Sequence, residues 1–116
     1  MSTYTRLPLS GSTDGVGIKI VSTTATGTTL HTAHASSWDE IYCWFTNTST
    51  AAVNVTIEFG GVSDPDTLLV KTLSLPALSG PIPLITGQGL TNSKVVSAYA
   101  SVANVIIATG HVNRIT

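Results

Sequence analysis

His31 and His34 stand three residues apart in a Thr/Ala-rich stretch, and His111 lies far along the chain. Histidine is the usual side chain for metal ligation and for proton transfer near neutral pH. Zinc takes three protein ligands in a catalytic site and four in a structural one. On a strand, residues three apart point to opposite faces, so this pair shares a metal only where the chain turns. Surface or interface histidines are the expectation, and no metal is assigned. Asp39 and Glu40 are adjacent and diverge on a strand. Paired carboxylates for glycoside hydrolysis face each other across roughly 5–10 Å, and nothing here arranges that. Ser63, Asp64 and Asp66 around Pro65 offer few oxygens for Ca²⁺, which takes about six to eight, so the segment reads as a turn. No Gly-x-Ser-x-Gly elbow occurs. Gly11–Gly15 lacks a phosphate-binding lysine, and Gly87-Gln88-Gly89 precedes no helical pattern. The expectation is no catalysis and no cofactor.

Bulk chemistry points the same way. The chain has 116 residues, of which only 9% are charged, and its net charge is -1. An ordinary soluble domain carries about 25% charged residues. So few charges do little to repel neighbouring molecules, which suits a protein built into an assembly. Arg6, Lys19, Lys71, Lys94 and Arg114 are scattered singly, so no basic stripe exists for nucleic acid. No apolar run approaches the roughly 20 residues that span a bilayer, and the first residues lack a signal-peptide core. A membrane is therefore not an expected partner, and synthesis in the cytoplasm is. The single cysteine, Cys43, sits in the apolar run Ile41–Phe45 and reads as a buried, inert thiol.

The elements that would position these residues are strands. Val, Ile and Thr abound, and branching at Cβ favours the pleated surface. Strands are predicted over residues 16–21, 28–33, 38–46, 51–59, 67–75, 94–100 and 103–115. The last two are expected to pair as a hairpin across Ala100-Ser101-Val102. Residues 80–85 can extend, but Pro81 and Pro83 cannot donate to a ladder and belong on an edge. In 51–59, Val53, Val55, Ile57 and Phe59 alternate with Asn54, Thr56 and Glu58, which predicts one core face and one wet face. In 38–46 both faces are apolar: Ile41, Cys43 and Phe45 on one, Tyr42 and Trp44 on the other. Such a strand is central in the fold or has one face against another protein. The expected fold is all-β: an antiparallel, jelly-roll-like β-sandwich of about eight short strands. Residues 1–12 are expected to be an arm that docks on a partner, and 13–116 a single sandwich domain.

The overall pattern resembles a known group. Leu7–Gly15 leads into Gly17-Ile18-Lys19-Ile20, then Thr26–Ala33, Asp39-Glu40-Ile41, Val55–Gly61 and the ending Gly110–Thr116. Together these segments resemble small virion proteins of tailed bacteriophages. The resemblance implies a capsid decoration (cement) protein on the virion surface, assembled in the host cytoplasm. Its implied partners are the major capsid protein and further copies of itself, as a dimer or trimer. A head–tail or tail accessory protein, or a carbohydrate- or receptor-binding module on the virion, is the alternative. The residues expected at interfaces are Thr3, Tyr4, Arg6, Leu7 and Leu9 of the arm, with Tyr42 and Trp44 on the outward side of the third strand. Trp38 and Tyr99 are the residues a glycan platform would use.

Overall fold

A computed structural model describes residues 3–116. The described residues form nine strands: β1 (Tyr4–Pro8), β2 (Ile18–Lys19), β3 (Thr28–Thr32), β4 (Trp38–Asn47), β5 (Val53–Phe59), β6 (Leu68–Leu75), β7 (Ile82–Leu90), β8 (Val95–Ala100) and β9 (Ile106–Ile115). No helix is present among the described residues. One sheet runs β1-β9-β4-β7, with β2 beside β1 on the same edge of β9; the other runs β3-β8-β5-β6. Every pairing is antiparallel. β5 pairs β6, β4 pairs β7, β3 pairs β8 and β2 pairs β9. That nesting is one long antiparallel ribbon rolled up on itself, the jelly-roll order.

The core lies between the sheets. Ile41, Cys43 and Phe45 from β4 meet Val53, Val55 and Ile57 from β5 and Val96, Ala98 and Ala100 from β8. All are buried. Asn47 closes one end: its Nδ2 donates to the carbonyls of Ala51, Leu75 and Pro76, and its Oδ1 accepts the Ser49 amide. A buried amide with its partners supplied holds three segments in one register.

Several expectations change. The stretch expected to be an arm is a strand: residues 4–8 pair with β9 of the same chain, from Tyr4 opposite Ile115 to Pro8 opposite His111. Met1 and Ser2 lie outside the described residues. Leu9, expected at an interface, is in the core and Leu7 is half-buried, because Leu7 pairs with the inward Val112. β8 and β9 do not form a hairpin; the chain crosses between sheets there. β7 is an edge strand as the prolines require, yet it continues through Gly87, whose φ of 105° marks a bulge only glycine tolerates well. β9 runs unbroken through Gly110, where any side chain would strike the backbone of Tyr42 and Cys43. On β5 the core face is as predicted, but Thr56 and Glu58 are buried too. Thr56 Oγ1 accepts the Thr72 amide at 3.0 Å. Glu58 Oε1 accepts the Gly27 amide at 2.8 Å and the Ser97 hydroxyl at 2.6 Å, so flanking chain covers what alternation marks as a wet face.

Candidate functional site

Two clusters hold the residues that sequence chemistry singled out. The first is buried at one end of the sandwich. Asp39, at the start of β4, points inward and is fully buried. Arg114, near the end of β9, is its register partner and grips it with two parallel bonds: Nε to Oδ1 at 2.7 Å and Nη2 to Oδ2 at 2.9 Å. A planar guanidinium suits such a forked grip on a carboxylate. The His34 amide adds a third bond to Oδ2, at 3.2 Å. His31 lies 2.8 Å from Oδ2 through Nε2, while its Nδ1 accepts the Ser10 amide at 3.0 Å. An amide only donates, so the ring proton sits on Nε2 and is directed at Asp39.

This geometry bears on chemistry. Ser10, His31 and Asp39 have the composition of a nucleophilic triad but not its wiring. Ser10 reaches the histidine through its backbone; its hydroxyl oxygen accepts the Thr32 amide at 2.8 Å. Both nitrogens of His31 are engaged, so neither is free to take a proton from a substrate. The cluster instead ties the segment after β1 to β3, β4 and β9. Burial alone would raise the Asp39 carboxyl, but Arg114, His31 and the His34 amide outweigh it and hold it down at about 2. Burial pushes the Cys43 thiol up to about 12, which fits the inert thiol expected. His34 does not join a metal set: its Nδ1 accepts the amides of Ser36 and Ser37 and shapes the loop before β4. His111 points to the outer face of the first sheet, away from both. Among the described residues, no group of three or more His, Cys, Asp or Glu could hold a metal ion.

The second cluster lies on that outer face. Inward Ile41, Cys43 and Phe45 leave Trp38, Tyr42 and Trp44 outward on β4. Tyr42 pairs with His111 and stacks on it, with centroids 5.1 Å apart and planes 18° apart. Trp44 flanks the same imidazole at 6.0 Å. Burial, with the Arg6 charge nearby, holds His111 below the ordinary histidine range. β1 brings Arg6 beside Asn113, with Nε to Oδ1 at 3.5 Å, and Tyr4 opposite Ile115. The structure therefore collects four of the expected interface residues, Tyr4, Arg6, Tyr42 and Trp44, on one face. Thr3 continues the β1 edge, its amide bonded to the Thr116 carbonyl. Tyr99 is on the other sheet, opposite Thr56, and is not part of this face.

Sequence reasoning missed Arg114 and His111 as members of these clusters. Asp39 pairs with a residue 75 positions away, and only the β4–β9 register brings them together. A cleft of about 260 Å³ opens beside the loops after β5 and before β8, lined by Thr26, Gly60, Val62, Ser93, Lys94 and Ser97. Its one ionisable lining residue is Lys94, and it offers no acid–base pair. The fold and these clusters define a jelly-roll sandwich with an internal ionic brace and an exposed aromatic face. No family model, curated protein or solved structure matches the chain.

Proposed function

We propose that the protein is a structural component of a tailed-phage virion, a capsid decoration protein that binds the outer shell and stabilises it. The observation that carries the reading is the distribution of charge. Residues 20–38, 41–57, 72–93 and 95–113 contain no Asp, Glu, Lys or Arg. The loop segments 20–24, 48–52, 76–81 and 101–105 all belong to these stretches. Backbone bonds join them: Leu78 to Ser49, Thr48 to Val105, Asn104 to Ile20 and Ala100 to Ser22. The loops gathered at this end of the sandwich thus carry no charge, with Lys19 just outside them in β2 opposite Ile107, and they expose Val21 by 53%, Leu78 by 65% and Val102 by 46%. Asp64, Asp66 and Lys94 sit in loops at the other end.

An uncharged end tipped with aliphatic side chains fits a docking surface, since depletion of charge marks interface centres. Each contact of this kind is modest, but a shell presents the same site many times, and multivalent engagement multiplies it. The resemblance to small virion proteins supplies the partner, the major capsid protein. Purified protein should co-sediment with expanded shells of its own phage, and Leu78→Asp or Val102→Asp should abolish this while leaving the circular dichroism spectrum unchanged. An electron-microscopy map of the particle should show many symmetric copies on the shell. A few copies at the tail or neck would transfer the reading to an accessory protein. Absence from purified particles would end it.

A further inference from the structure

We infer that the cleft on the outer face of the β3-β8-β5-β6 sheet binds a small aliphatic amino acid, with its ammonium on Glu58 and its carboxylate at Lys94. This goes beyond the virion reading and does not depend on it. The two buried carboxylates of the chain differ. Asp39 has both oxygens engaged and Arg114 as its counter-ion. Glu58 is as deeply buried, at 1% exposed, yet only its Oε1 is engaged, by the Gly27 amide and the Ser97 hydroxyl. Its Oε2 has no partner, and among the described residues Glu58 belongs to no ion pair. A buried carboxylate oxygen with neither donor nor counter-charge is costly, and each such group in a native fold calls for a partner.

The register places that oxygen at the cleft. Val96 and Ala98 face the core, so Val95 and Ser97 face outward on β8. Glu58 is the ladder partner of Ser97 and shares its face. Ser97, Val95 and Gly60, two residues past Glu58, all line the cleft, as does Thr26, which precedes the Gly27 amide on Oε1. At Gly27 the chain lies flat on β8, where a side chain would strike the Ala98 backbone, and it helps close the carboxyl group to bulk water. An ammonium brings the absent positive charge and three donors, one for Oε2 and two for the hydroxyl oxygens of Ser97 and Thr26. Entry therefore shifts the Thr26 side of the cleft, and the pair formed there is weakly screened. Lys94, the one ionisable lining residue, decides the rest of the ligand. It repels a simple amine, whereas a carboxylate at the ligand's other end pairs with it and leaves the site neutral. Val62 and Val95 give apolar wall for an aliphatic body. At about 260 Å³ the cleft falls below the roughly 300–1,000 Å³ of sites for drug-sized molecules, which suits an amino acid. A bare Ca²⁺ fits worse, since it takes about six to eight oxygens.

The test is titration of the ¹⁵N-labelled full chain with L-valine, γ-aminobutyrate, n-butylamine and butyrate, read from backbone amide shifts. At least one of the two zwitterions should bind with a dissociation constant in the millimolar range or tighter, moving the amides of Thr26, Gly27, Lys94 and Ser97. Butylamine and butyrate, which each satisfy one end of the site, should bind about tenfold more weakly or worse. Glu58→Gln keeps the shape, removes the charge and should weaken the zwitterion about tenfold or more. Lys94 is exposed, so Lys94→Ala keeps the fold and provides a second reading should Glu58→Gln unfold. It should weaken the zwitterion and strengthen butylamine. Absence of shifts with both zwitterions at ~20 mM, a range that exposes even weak ligands, overturns the inference. So do shifts confined to residues away from the cleft, or equal zwitterion binding by Glu58→Gln or by Lys94→Ala. Butyrate binding as tightly as the zwitterions would leave the cleft to Lys94 alone, and butylamine doing so would remove Lys94 from it; either overturns the inference.

Discussion

Asp39 shows what a buried charge does in this molecule. Its carboxylate has no exposed surface and four bonds around it, two of them from one guanidinium. Breaking one side of such an arrangement strands the other, which costs more than the pair contributes over an apolar replacement. Asp39→Asn should therefore lose about 2–4 kcal/mol in urea unfolding at pH 7. The acid response identifies the group. A carboxyl held at about 2 when folded, against 3.8 in its ordinary state, contributes stability that is complete above pH 4–5. That stability is lost as the pH falls toward 2 and amounts to roughly 2 kcal/mol at about 1.4 kcal/mol per tenfold in proton affinity. The wild type should lose it between pH 4 and 2; in Asp39→Asn that part of the slope should be missing. An identical slope in both proteins would mean that other carboxylates carry the acid sensitivity.

At the scale of elements, the first strand decides whether the N-terminus is an arm or part of the fold. β1 pairs along its whole length with β9, and Leu9 after it is buried in the core. Leu9→Ala should cost about 2–5 kcal/mol, as other buried leucines do. Deleting residues 1–9 should cost more, because β9 then loses its ladder partner as well. A truncated protein that unfolds at the wild-type urea midpoint would restore the free arm. The sequence hid this strand because Thr5, Leu7 and Leu9 alternate with Tyr4, Arg6 and Pro8 over too short a run, with a proline at its end. Elements with long alternation were readable: β4 and β5 showed their core faces through Ile41, Cys43, Phe45 and through Val53, Val55, Ile57. The edge position of β7 was readable from Pro81 and Pro83, for want of donors. The crossing from β8 to β9 was not, since a short uncharged link looks the same whether the next strand joins the same sheet or the other. The burial of Thr56 and Glu58 was equally hidden, because their partners, Thr72 and Gly27, come from distant segments. The aromatic half of the outer face was visible as Tyr42 and Trp44; His111 and Arg6 join it only through the register of β9 with β4 and β1.

At the scale of the whole molecule, the poverty of charge becomes an asymmetry with consequences for association. The charged end carries Asp64, Lys71 and Lys94, with Asp64 and Lys71 bonded to each other in an exposed pair that salt would screen. The opposite end offers aliphatic tips and backbone, whose attraction salt does not screen and sulfate strengthens. Any self-association of the isolated chain should therefore run through the uncharged end and be insensitive to ionic strength. Sedimentation velocity at ~0.1 M and ~1 M sodium chloride should give the same mass distribution, and sodium sulfate should shift it upward. Leu78→Asp, which sets a like charge on every copy of that end, should shift it toward the 12.0 kDa monomer. Dissociation in ~1 M sodium chloride would instead point to the charged end, and would remove the physical basis for docking through the loops around Val21, Leu78 and Val102.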